Sequence, residues 1–436
     1  MGEPGAAANA EMDSGEIGST GRRDVHGPVP FRIFSVAALL LLTLAVGCGR
    51  GGSSTPSDGG SGGEAWGVGG SGGGGMGGSG GGGAAGAVAC DKGDGFAPKV
   101  DYPASFRAQS VAVGDLNGDG KPDLALANDI ASGFSPYATV MLNNGDGTFA
   151  ARVNYKTGEH SYSIAIADLN GDMMGDLVVA NLYADTLSVL LNKGDGTFAD
   201  NVDISLPLTP RRITAADMNG DGKQDIVVSG TGVGVLLNNG DGTLAAYVGS
   251  TNGYFFGVTA ADINGDGKPD IAVHDGNDGA SVKFNNGDGT FVSSVDYPTG
   301  SICWSIAAAD LNGDNKPDLA VANYKSDTVS VLFNNGDGTF AAKVDYATGS
   351  GPRSVAAADL NGDGKIDLAI ANENSNSMNV LLNYGNGTFA PKMTQYTGVF
   401  PTAIAAADLN GDSKPDLVIA NSEDSNVSVF LNRCSP

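Results

Sequence analysis

Short segments in which hydrophobic and polar positions alternate recur along the chain from about residue 95 to its end. In the representative stretch 339–383, alternation over 340–346 predicts a half-buried β-strand. Small residues at 354–358, aliphatic residues at 367–372 and a further alternating segment at 378–383 predict three more strands. No segment shows a helical period, so the pattern excludes a helical solenoid.

This strand pattern is repeated seven times, and each copy contains the acidic sequence D-x-N-x-D-x-x-x-D. Hairpin signals such as N-N-G-D-G-T, whose glycines tolerate positive φ, separate the repeats. Four short strands per repeat of about 49 residues predict an all-β fold, a seven-bladed β-propeller. The alanine-rich strand is expected innermost, where seven strands crowd around the axis. The acidic copies begin at Asp115, Asp168, Asp217, Asp262, Asp310, Asp359 and Asp408.

The two ends of the repeat region predict how the ring closes. Residues 95–102 match the outer strand of a repeat without preceding inner strands, and residues 427–432 match a third strand. The N-terminal strand is therefore expected to complete the seventh blade. Cys90 and Cys434 bracket this region, which predicts a disulfide that contributes about 4–5 kcal/mol in the chain-entropy model. The alternative is two free thiols, and Cys303 is expected to be a buried thiol.

The first ninety residues predict export rather than a folded domain. The apolar run 33–46 is too short to span a bilayer and suits a secretory signal. The sequence ending at Cys48 resembles a bacterial lipobox, although Ala45 stands where leucine is usual. We therefore expect residues 1–48 to be a signal peptide of the lipoprotein type, with lipidation at Cys48 and a plain cleaved signal as the alternative.

Residues 49–89 are mostly glycine and serine and are expected to be a disordered tether with a reach of roughly 35 Å. Residues 90–436 form the predicted propeller. Gly49 after the lipidated cysteine favours the outer membrane or cell surface, and otherwise the protein would be secreted. In either location the membrane is a partner only through the lipid anchor.

The negative charge of the chain is concentrated in the acidic loops. The formal net charge is −25, and the seven loops hold 21 of the 49 acidic residues. Seven divalent ions would reduce this charge to −11. Such acidity excludes nucleic acid as a partner.

Each acidic loop carries hard oxygen ligands without histidine or cysteine, which favours Ca²⁺ over zinc or copper. Side chains at positions 1, 3, 5 and 9 and the carbonyl at position 7 supply six or seven oxygens, which suits Ca²⁺ better than Mg²⁺. We expect up to seven ions. The sites in the Asp168 and Asp408 loops are expected to be weaker, because Met173 and Ser413 replace the glycine at position 6. The alternative is that the aspartates merely form polar turns. The predicted ligands are Asp115, Asn117, Asp119, Lys121, Asp123, Asp168, Asn170, Asp172, Asp176, Asp217, Asn219, Asp221, Lys223, Asp225, Asp262, Asn264, Asp266, Lys268, Asp270, Asp310, Asn312, Asp314, Lys316, Asp318, Asp359, Asn361, Asp363, Lys365, Asp367, Asp408, Asn410, Asp412, Lys414 and Asp416.

The sequence D-L-N-G-D-G-K-P-D within repeats of this length resembles the FG-GAP (VCBS-type) repeats of the integrin α-subunit propeller and its bacterial secreted relatives. The resemblance covers about residues 90–434. It implies calcium at each inner hairpin and extracellular recognition by the opposite face.

The opposite face is formed by segments in which the repeats differ most. We predict a binding or adhesion module, monomeric, for an extracellular protein or glycan. The alternative is a carbohydrate-active enzyme, a polysaccharide lyase or hydrolase, but His160 and His274 stand alone in sequence and no catalytic motif is present. The longest loop between a second and a third strand, 129–138, is expected to carry Phe134 and Tyr137. The candidate ligand-binding residues are Phe134, Tyr137, His160, Tyr162, Arg211, Arg212, Tyr254, Phe255, Trp304, Arg353 and Phe400.

Overall fold

Seven four-stranded antiparallel sheets follow one another in a computed structural model, which describes residues 88–89, 95–129, 136–274, 276 and 278–435. We call the sheets blades 1 to 7 in chain order. Their innermost strands are Ala108–Gly114, Ser161–Ala167, Pro210–Ala216, Val258–Ala261, Cys303–Ala309, Pro352–Ala358 and Pro401–Ala407. Their second strands are Asp123–Asn128, Asp176–Asn181, Asp225–Gly230, Asp270–His274, Asp318–Asn323, Asp367–Asn372 and Asp416–Asn421.

The third and outer strands complete each sheet. The third strands are Tyr137–Met141, Thr186–Leu190, Val233–Leu236, Gly279–Asn285, Thr328–Leu332, Ser377–Leu381 and Asn426–Phe430. The outer strands of blades 1 to 6 are Val153–Lys156, Val202–Ser205, Val248–Ser250, Phe291–Pro298, Val344–Ala347 and Met393–Tyr396. In blade 7 the outer strand is Val100–Pro103, which pairs antiparallel with Asn426–Phe430. This sheet joins the beginning of the repeat region to its end.

The hydrophobic core lies between the blades. In the second strand of blade 5, Leu319 and Val321 pack toward blade 4, whereas Ala320 and Ala322 pack toward blade 6. Both faces of the strand are buried, which explains why second strands are almost continuously apolar. Burial of each large aliphatic side chain stabilises the fold by about 1.5–3 kcal/mol.

The innermost strands form a closed ring. Each innermost strand contacts the innermost strand of the next blade, and that of blade 7 contacts that of blade 1. A hydrophobic cluster fills the interface between blades 7 and 1 as it does at the other interfaces. The described residues are therefore an all-β, seven-bladed propeller, as the repeat count predicted.

The outer strands are shorter than the alternation predicted. In blade 5 the strand is Val344–Ala347, while Phe340 makes only an isolated bridge to Asn334. Val344 is 41% exposed because an outer strand has no further neighbour to cover it. Tyr346 instead packs edge-on against Phe389 of blade 6, with ring centroids 5.1 Å apart.

Of the two cysteine predictions, the structure confirms the one for Cys303 and leaves the Cys90–Cys434 pairing as a prediction. Cys303 carries a buried thiol 2.8 Å from Thr299 Oγ1, which confirms that prediction. Cys434 is disulfide-bonded, and Cys434–Ser435 pairs in parallel with Val88–Ala89. Cys90 lies outside the described residues, so its pairing with Cys434 stays a prediction.

None of the described residues forms a helix of the length and hydrophobicity that a membrane crossing requires. The apolar run 33–46, the lipidation site Cys48 and the Gly/Ser-rich tether 49–89 lie outside the described residues apart from 88–89.

Candidate functional site

The seven acidic loops lie at one end of the propeller, which we call the acidic end, because each connects an innermost strand to a second strand. In blade 6, Asp359 at position 1 accepts hydrogen bonds from the backbone N–H groups of Gly362, Asp363 and Gly364 at 2.7–3.1 Å. Equivalent bonds organise the other blades, so the loops share one turn. The first carboxylate therefore organises the backbone of its own loop.

The aspartate at position 9 is fully buried and connects two parts of its blade. In blade 6, Asp367 Oδ2 accepts the N–H of Leu360 at 2.9 Å, and Oδ1 accepts the N–H of Asn383 at 2.7 Å. Each blade repeats this pair of bonds. The carboxylate thus fixes the acidic loop against the hairpin that follows the third strand.

Burial raises the pKa of these position-9 carboxyl groups. The pKa of Asp367 is about 7, because burial raises it by more than its two backbone hydrogen bonds lower it. The acids at positions 1 and 5 raise this pKa further. Burial raises the pKa of Asp123 and Asp225 as well. The same cause raises the pKa to about 6 at Asp176, Asp270, Asp318 and Asp416. Ionising each of these buried carboxyl groups is therefore unfavourable, and a bound cation would offset that cost.

The lysine at position 7 partly neutralises the acid at position 5. Lys365 Nζ lies 3.2 Å from Asp363 Oδ2, and Lys223 Nζ lies 2.9 Å from Asp221 Oδ2. Within the described part of the chain, no three His, Cys, Asp or Glu side chains are gathered as a ready-made metal cluster. The loop donors are carboxylate, amide and carbonyl oxygens, which fit a hard divalent cation chemically.

The turn forms even where glycine is missing at position 6. Met173, Asn315 and Ser413 have φ angles of 67°, 62° and 65°, close to those of the glycines in other loops. Met173 still donates its N–H to Asp168 Oδ2 at 2.9 Å, and its side chain is 90% exposed. The loop therefore holds methionine in a left-handed conformation that costs about 1–2 kcal/mol.

Replacing Met173 with glycine is expected to stabilise the protein by about 1 kcal/mol, because glycine adopts positive φ without steric strain. Chemical unfolding of the purified domain measures this difference. The reciprocal change Gly120→Met, at the same position of blade 1 where an added Cβ meets open space, should destabilise it by a similar amount. Equal stability of Met173→Gly and the unaltered protein would contradict the strain.

A second set of residues at the acidic end was missed by sequence reasoning. The first asparagine of each N-N-G-D-G-T hairpin, read only as a turn residue, links neighbouring blades. In blade 5, Asn334 Nδ2 donates to the carbonyl of Ile263 in blade 4 at 2.8 Å and to Pro317 at 3.1 Å. The equivalent asparagines are Asn143, Asn192, Asn238, Asn285, Asn383 and Asn432.

The opposite end of the axis is formed where the innermost strands begin. Six of these strands shift register at their second residue, a β-bulge that sets one side chain off from the regular ladder. The bulged residues are Gln109, Tyr162, Arg211, Trp304, Arg353 and Thr402.

Aromatic and arginine side chains from adjacent blades contact one another at these positions. The Arg211 guanidinium lies 5.0 Å from the ring centroid of Phe256, which lies 4.8 Å from the ring of Trp304. The Arg353 guanidinium in turn lies 5.1 Å from the Trp304 ring. These distances suit cation–π and aromatic contacts.

The contacts extend in both directions around the axis. Arg212 lies 5.9 Å from the ring of Tyr162 in blade 2. Arg353 forms a fully buried ion pair with Glu373. We call the connected residues the axial belt: Tyr162, Arg211, Arg212, Phe256, Trp304 and Arg353.

Repeat-family profiles match most of the propeller. The FG-GAP-like repeat matches residues 168–228, 217–273, 264–321, 310–370 and 359–419, and the FG-GAP repeat matches residues 108–148. The chain belongs to the FG-GAP repeat family. No curated protein sequence matches it significantly.

Solved structures share the propeller of this FG-GAP chain at low identity. An Agrocybe aegerita lectin described for specific recognition of non-reducing terminal N-acetylglucosamine is 22% identical, with a TM-score of 0.51 over 76% of this chain and 86% of that chain. BBS1N in complex with ARL6DN is 12% identical, with a TM-score of 0.56 over 78% and 97%. A catalytically inactive virginiamycin B lyase from Staphylococcus aureus, with quinupristin, is 10% identical, with a TM-score of 0.52 over 76% and 98%. At these identities the likeness shows the fold alone.

The predicted ligand-binding residues of the FG-GAP propeller differ in their exposure to solvent. Tyr162, Arg212 and Arg353 are buried, with Arg353 fully so. Tyr254 is 62% exposed. The partly exposed candidates are Tyr137, His160, Arg211, Phe255, Trp304 and Phe400.

Two candidates differ from their sequence interpretation. Tyr137 begins the third strand of blade 1 instead of lying in the preceding loop, and Phe134 lies outside the described residues. His160 does not stand alone, because its Nδ1 lies 2.5 Å from Asp129 Oδ1 and its ring packs on Tyr183. Asp129 comes from the neighbouring blade, so no local sequence signal connects the two.

Proposed function

We propose that this FG-GAP propeller is an exported, calcium-stabilised binding module that recognises a protein or glycan ligand at the end opposite its acidic loops. The axial belt carries this proposal, because it brings aromatic and arginine side chains from five blades into contact at one end of the axis. Such side chains are enriched at energetically important positions of binding surfaces. A rigid propeller holds them in place before a ligand arrives, which lowers the entropic cost of binding.

The acidic loops support the calcium part of the proposal. They repeat one oxygen donor set in all seven blades, and burial, with a smaller contribution from the neighbouring acids, raises the pKa of the position-9 aspartate. Up to seven Ca²⁺ ions would be held by the side chains at positions 1, 3, 5 and 9 and the carbonyl at position 7. Their role would be structural, since the belt lies at the other end of the blades. Mg²⁺ fits less well because it demands strict octahedral geometry.

The predicted signal and tether support a location outside the cytoplasm. A lipid on Cys48 would anchor the protein to the outer membrane or cell surface, and the tether would hold the propeller roughly 35 Å away. The large negative charge disfavours nucleic acid. A monomer satisfies the proposal, because the belt is complete within one chain.

Replacing Trp304 with alanine is expected to weaken ligand binding at least about tenfold, because its half-buried ring touches two other belt residues. A glycan array and a set of surface proteins identify the ligand. Isothermal titration calorimetry then measures affinity, since Trp304 is the single tryptophan of the propeller and its replacement removes the fluorescence reporter.

Tyr384→Ala is the matched control, because Tyr384 is 60% exposed in a hairpin at the acidic end. It should leave affinity unchanged. Loss of binding in Tyr384→Ala with normal binding in Trp304→Ala would place recognition at the acidic end and refute the proposal.

The calcium-free protein is expected to lose stability as the pH rises from about 4 to 7. The folded pKa of Asp367 is about 7, above the unfolded value of about 3.9, so the folded state binds more protons in this window. Calcium should reverse the trend, since it stabilises the ionised carboxylates. Melting temperatures at pH 5 and 7.5, in chelator and in calcium, test both statements; a larger calcium effect at pH 5 would contradict them.

A carbohydrate-active enzyme is the second candidate. The pairing of His160 with Asp129 favours it, because a carboxylate beside an imidazole can orient a general base. Both side chains are about 15% exposed, so a substrate could reach them. A lyase absorbance assay on acidic polysaccharides tests this reading, and His160→Gln should abolish any turnover that it detects.

A further inference from the structure

Arg212 occupies a position that the other blades fill with small residues. It follows the bulge of the innermost strand, where the equivalent residues are Ser110, Ser163, Gly257, Ser305, Ser354 and Ala403. Three of these serine hydroxyls accept a backbone N–H from the next blade, as Ser305 does from Val355. The propeller therefore does not need an arginine at this position.

The guanidinium of Arg212 lacks the partners that such burial demands. Arg212 is 3% exposed, and its two terminal nitrogens have no hydrogen-bond partner among the described residues. Burial lowers its pKa well below the usual value, and the neighbouring charges of Arg353 and Arg211 lower it further. A buried cation without an acceptor is costly, and an anionic ligand would remove that cost.

The surroundings of Arg212 indicate the kind of anion. Arg353 is matched by Glu373, which leaves the charges of Arg211 and Arg212 without a paired carboxylate among the described residues. Arg211 is partly exposed and has a buried Nε without a hydrogen-bond partner in the described part of the chain. The Arg211 guanidinium lies over the ring of Phe256 in blade 4, and the Arg212 guanidinium lies over the ring of Tyr162 in blade 2. A carboxylate, whose two oxygens each accept an N–H, suits two such unpaired cations.

Aromatic groups beside the arginines favour a ring-shaped ligand. Trp304 and Phe256 lie side by side and are both partly exposed. Within the described residues, Trp304 Nε1 is buried without a hydrogen-bond partner, so its N–H is not committed to an acceptor there. An apolar ring face with a polar edge matches a sugar ring, which has C–H groups on its faces and hydroxyls at its rim.

We propose that the axial belt binds a uronate unit of an acidic polysaccharide, with Arg211 and Arg212 holding the carboxylate and Trp304 and Phe256 flanking the sugar ring. This inference rests on the proposed function and names the ligand class of the same site. The acidic loops lie at the other end of the blades, so their charge does not face the anion. An acidic peptide is the competing ligand, but it would leave the aromatic pair without a ring partner.

The test uses the full exported chain, loaded with calcium, and isothermal titration calorimetry. The probes are trigalacturonate, its fully methyl-esterified form and a glutamate-rich peptide. We expect trigalacturonate to bind at least tenfold more tightly than either of the other two. Equal binding of the esterified form would overturn the proposal, and so would tighter binding of the peptide.

Two variants locate the carboxylate. The variant Arg212→Ser carries serine at this position, as four other blades do, so it should fold with an unchanged or higher melting temperature. It should bind trigalacturonate at least tenfold more weakly. Arg211→Ser, at a partly exposed residue, should weaken binding independently of any effect on the buried cluster. Arg152→Ser, which removes one exposed charge before the outer strand of blade 1, should bind normally. Unchanged affinity in both Arg211→Ser and Arg212→Ser would refute the assignment.

The outcomes also separate this inference from the proposed function. If a different ligand binds in a Trp304-dependent manner while trigalacturonate does not bind, the binding module stands and the uronate site fails. If no glycan or protein tested binds in a Trp304-dependent manner, both fail.

Discussion

Chelation of calcium is expected to lower the melting temperature of the propeller by up to about 14 °C. Extracellular calcium modules bind with Kd values of about 10⁻⁴–10⁻³ M, and a 10⁻⁴ M site contributes about 1.4 kcal/mol at millimolar calcium. Seven such sites would contribute roughly 10 kcal/mol as an upper bound. For a domain of this size, each kcal/mol of lost stability lowers the melting temperature by about 1.4 °C. The physical cause is the release of three mutually repelling carboxylates in each loop.

Differential scanning calorimetry in millimolar calcium and in excess EGTA measures this change. Magnesium at the same ionic strength is the control, since it screens charge equally but fits the loops poorly. Elemental analysis of the calcium-loaded protein should find up to seven ions, with the blade 2 and blade 7 loops the first to empty on dilution. An identical melting temperature in EGTA would refute a structural role for calcium.

The second large effect is expected from Asn334→Ala, which should lower the free energy of unfolding by about 3 kcal/mol. The substitution removes the two donors to Ile263 and Pro317 and the acceptor for the N–H of Gly336, which lies 2.7 Å from Asn334 Oδ1. Each broken bond costs about 1 kcal/mol net, and each buried group left without a partner costs more. Calcium should not rescue the loss, because Asn334 is not among the proposed ligands.

Asn335→Ala is the control for this prediction. Asn335 is the next residue in the same hairpin, but it is exposed and its amide donates only to Thr339 Oγ1 at 2.9 Å. Its replacement should change the free energy of unfolding by less than about 0.5 kcal/mol. Chemical unfolding of both variants in calcium gives the comparison. Similar effects of the two substitutions would show that the contact between blades contributes little.

Some parts of the site were predictable because their signals are local in sequence. The spacing from Asp359 to Asp367 lies within one turn, so the sequence alone indicates that the loop gathers oxygen donors. The bonds from Asp359 to Gly362 and Gly364 agree with that expectation of a tight acidic turn. The blade count followed for a similar reason, because each repeat needs a neighbour to bury its second face.

Other parts depend on residues that are distant in the chain. Asn334 looks like an ordinary turn residue until the ring places Ile263 beside it, 71 positions away. Tyr137 was assigned to a loop because no local signal marks where the third strand of blade 1 begins. Asp129 and His160 come from adjacent blades, so only their packing reveals the pair.

The sequence by itself determined the all-β repeat, the number of blades and the positions of the acidic turns, because strand alternation and turn chemistry act over a few residues. The tertiary structure decided which side chains share an environment. Arg211 and Arg212 are neighbours with the same side chain, yet the bulge leaves one partly exposed and buries the other. The physical reason is that closing the ring brings together groups some fifty residues apart, and burial and charge are properties of that assembly.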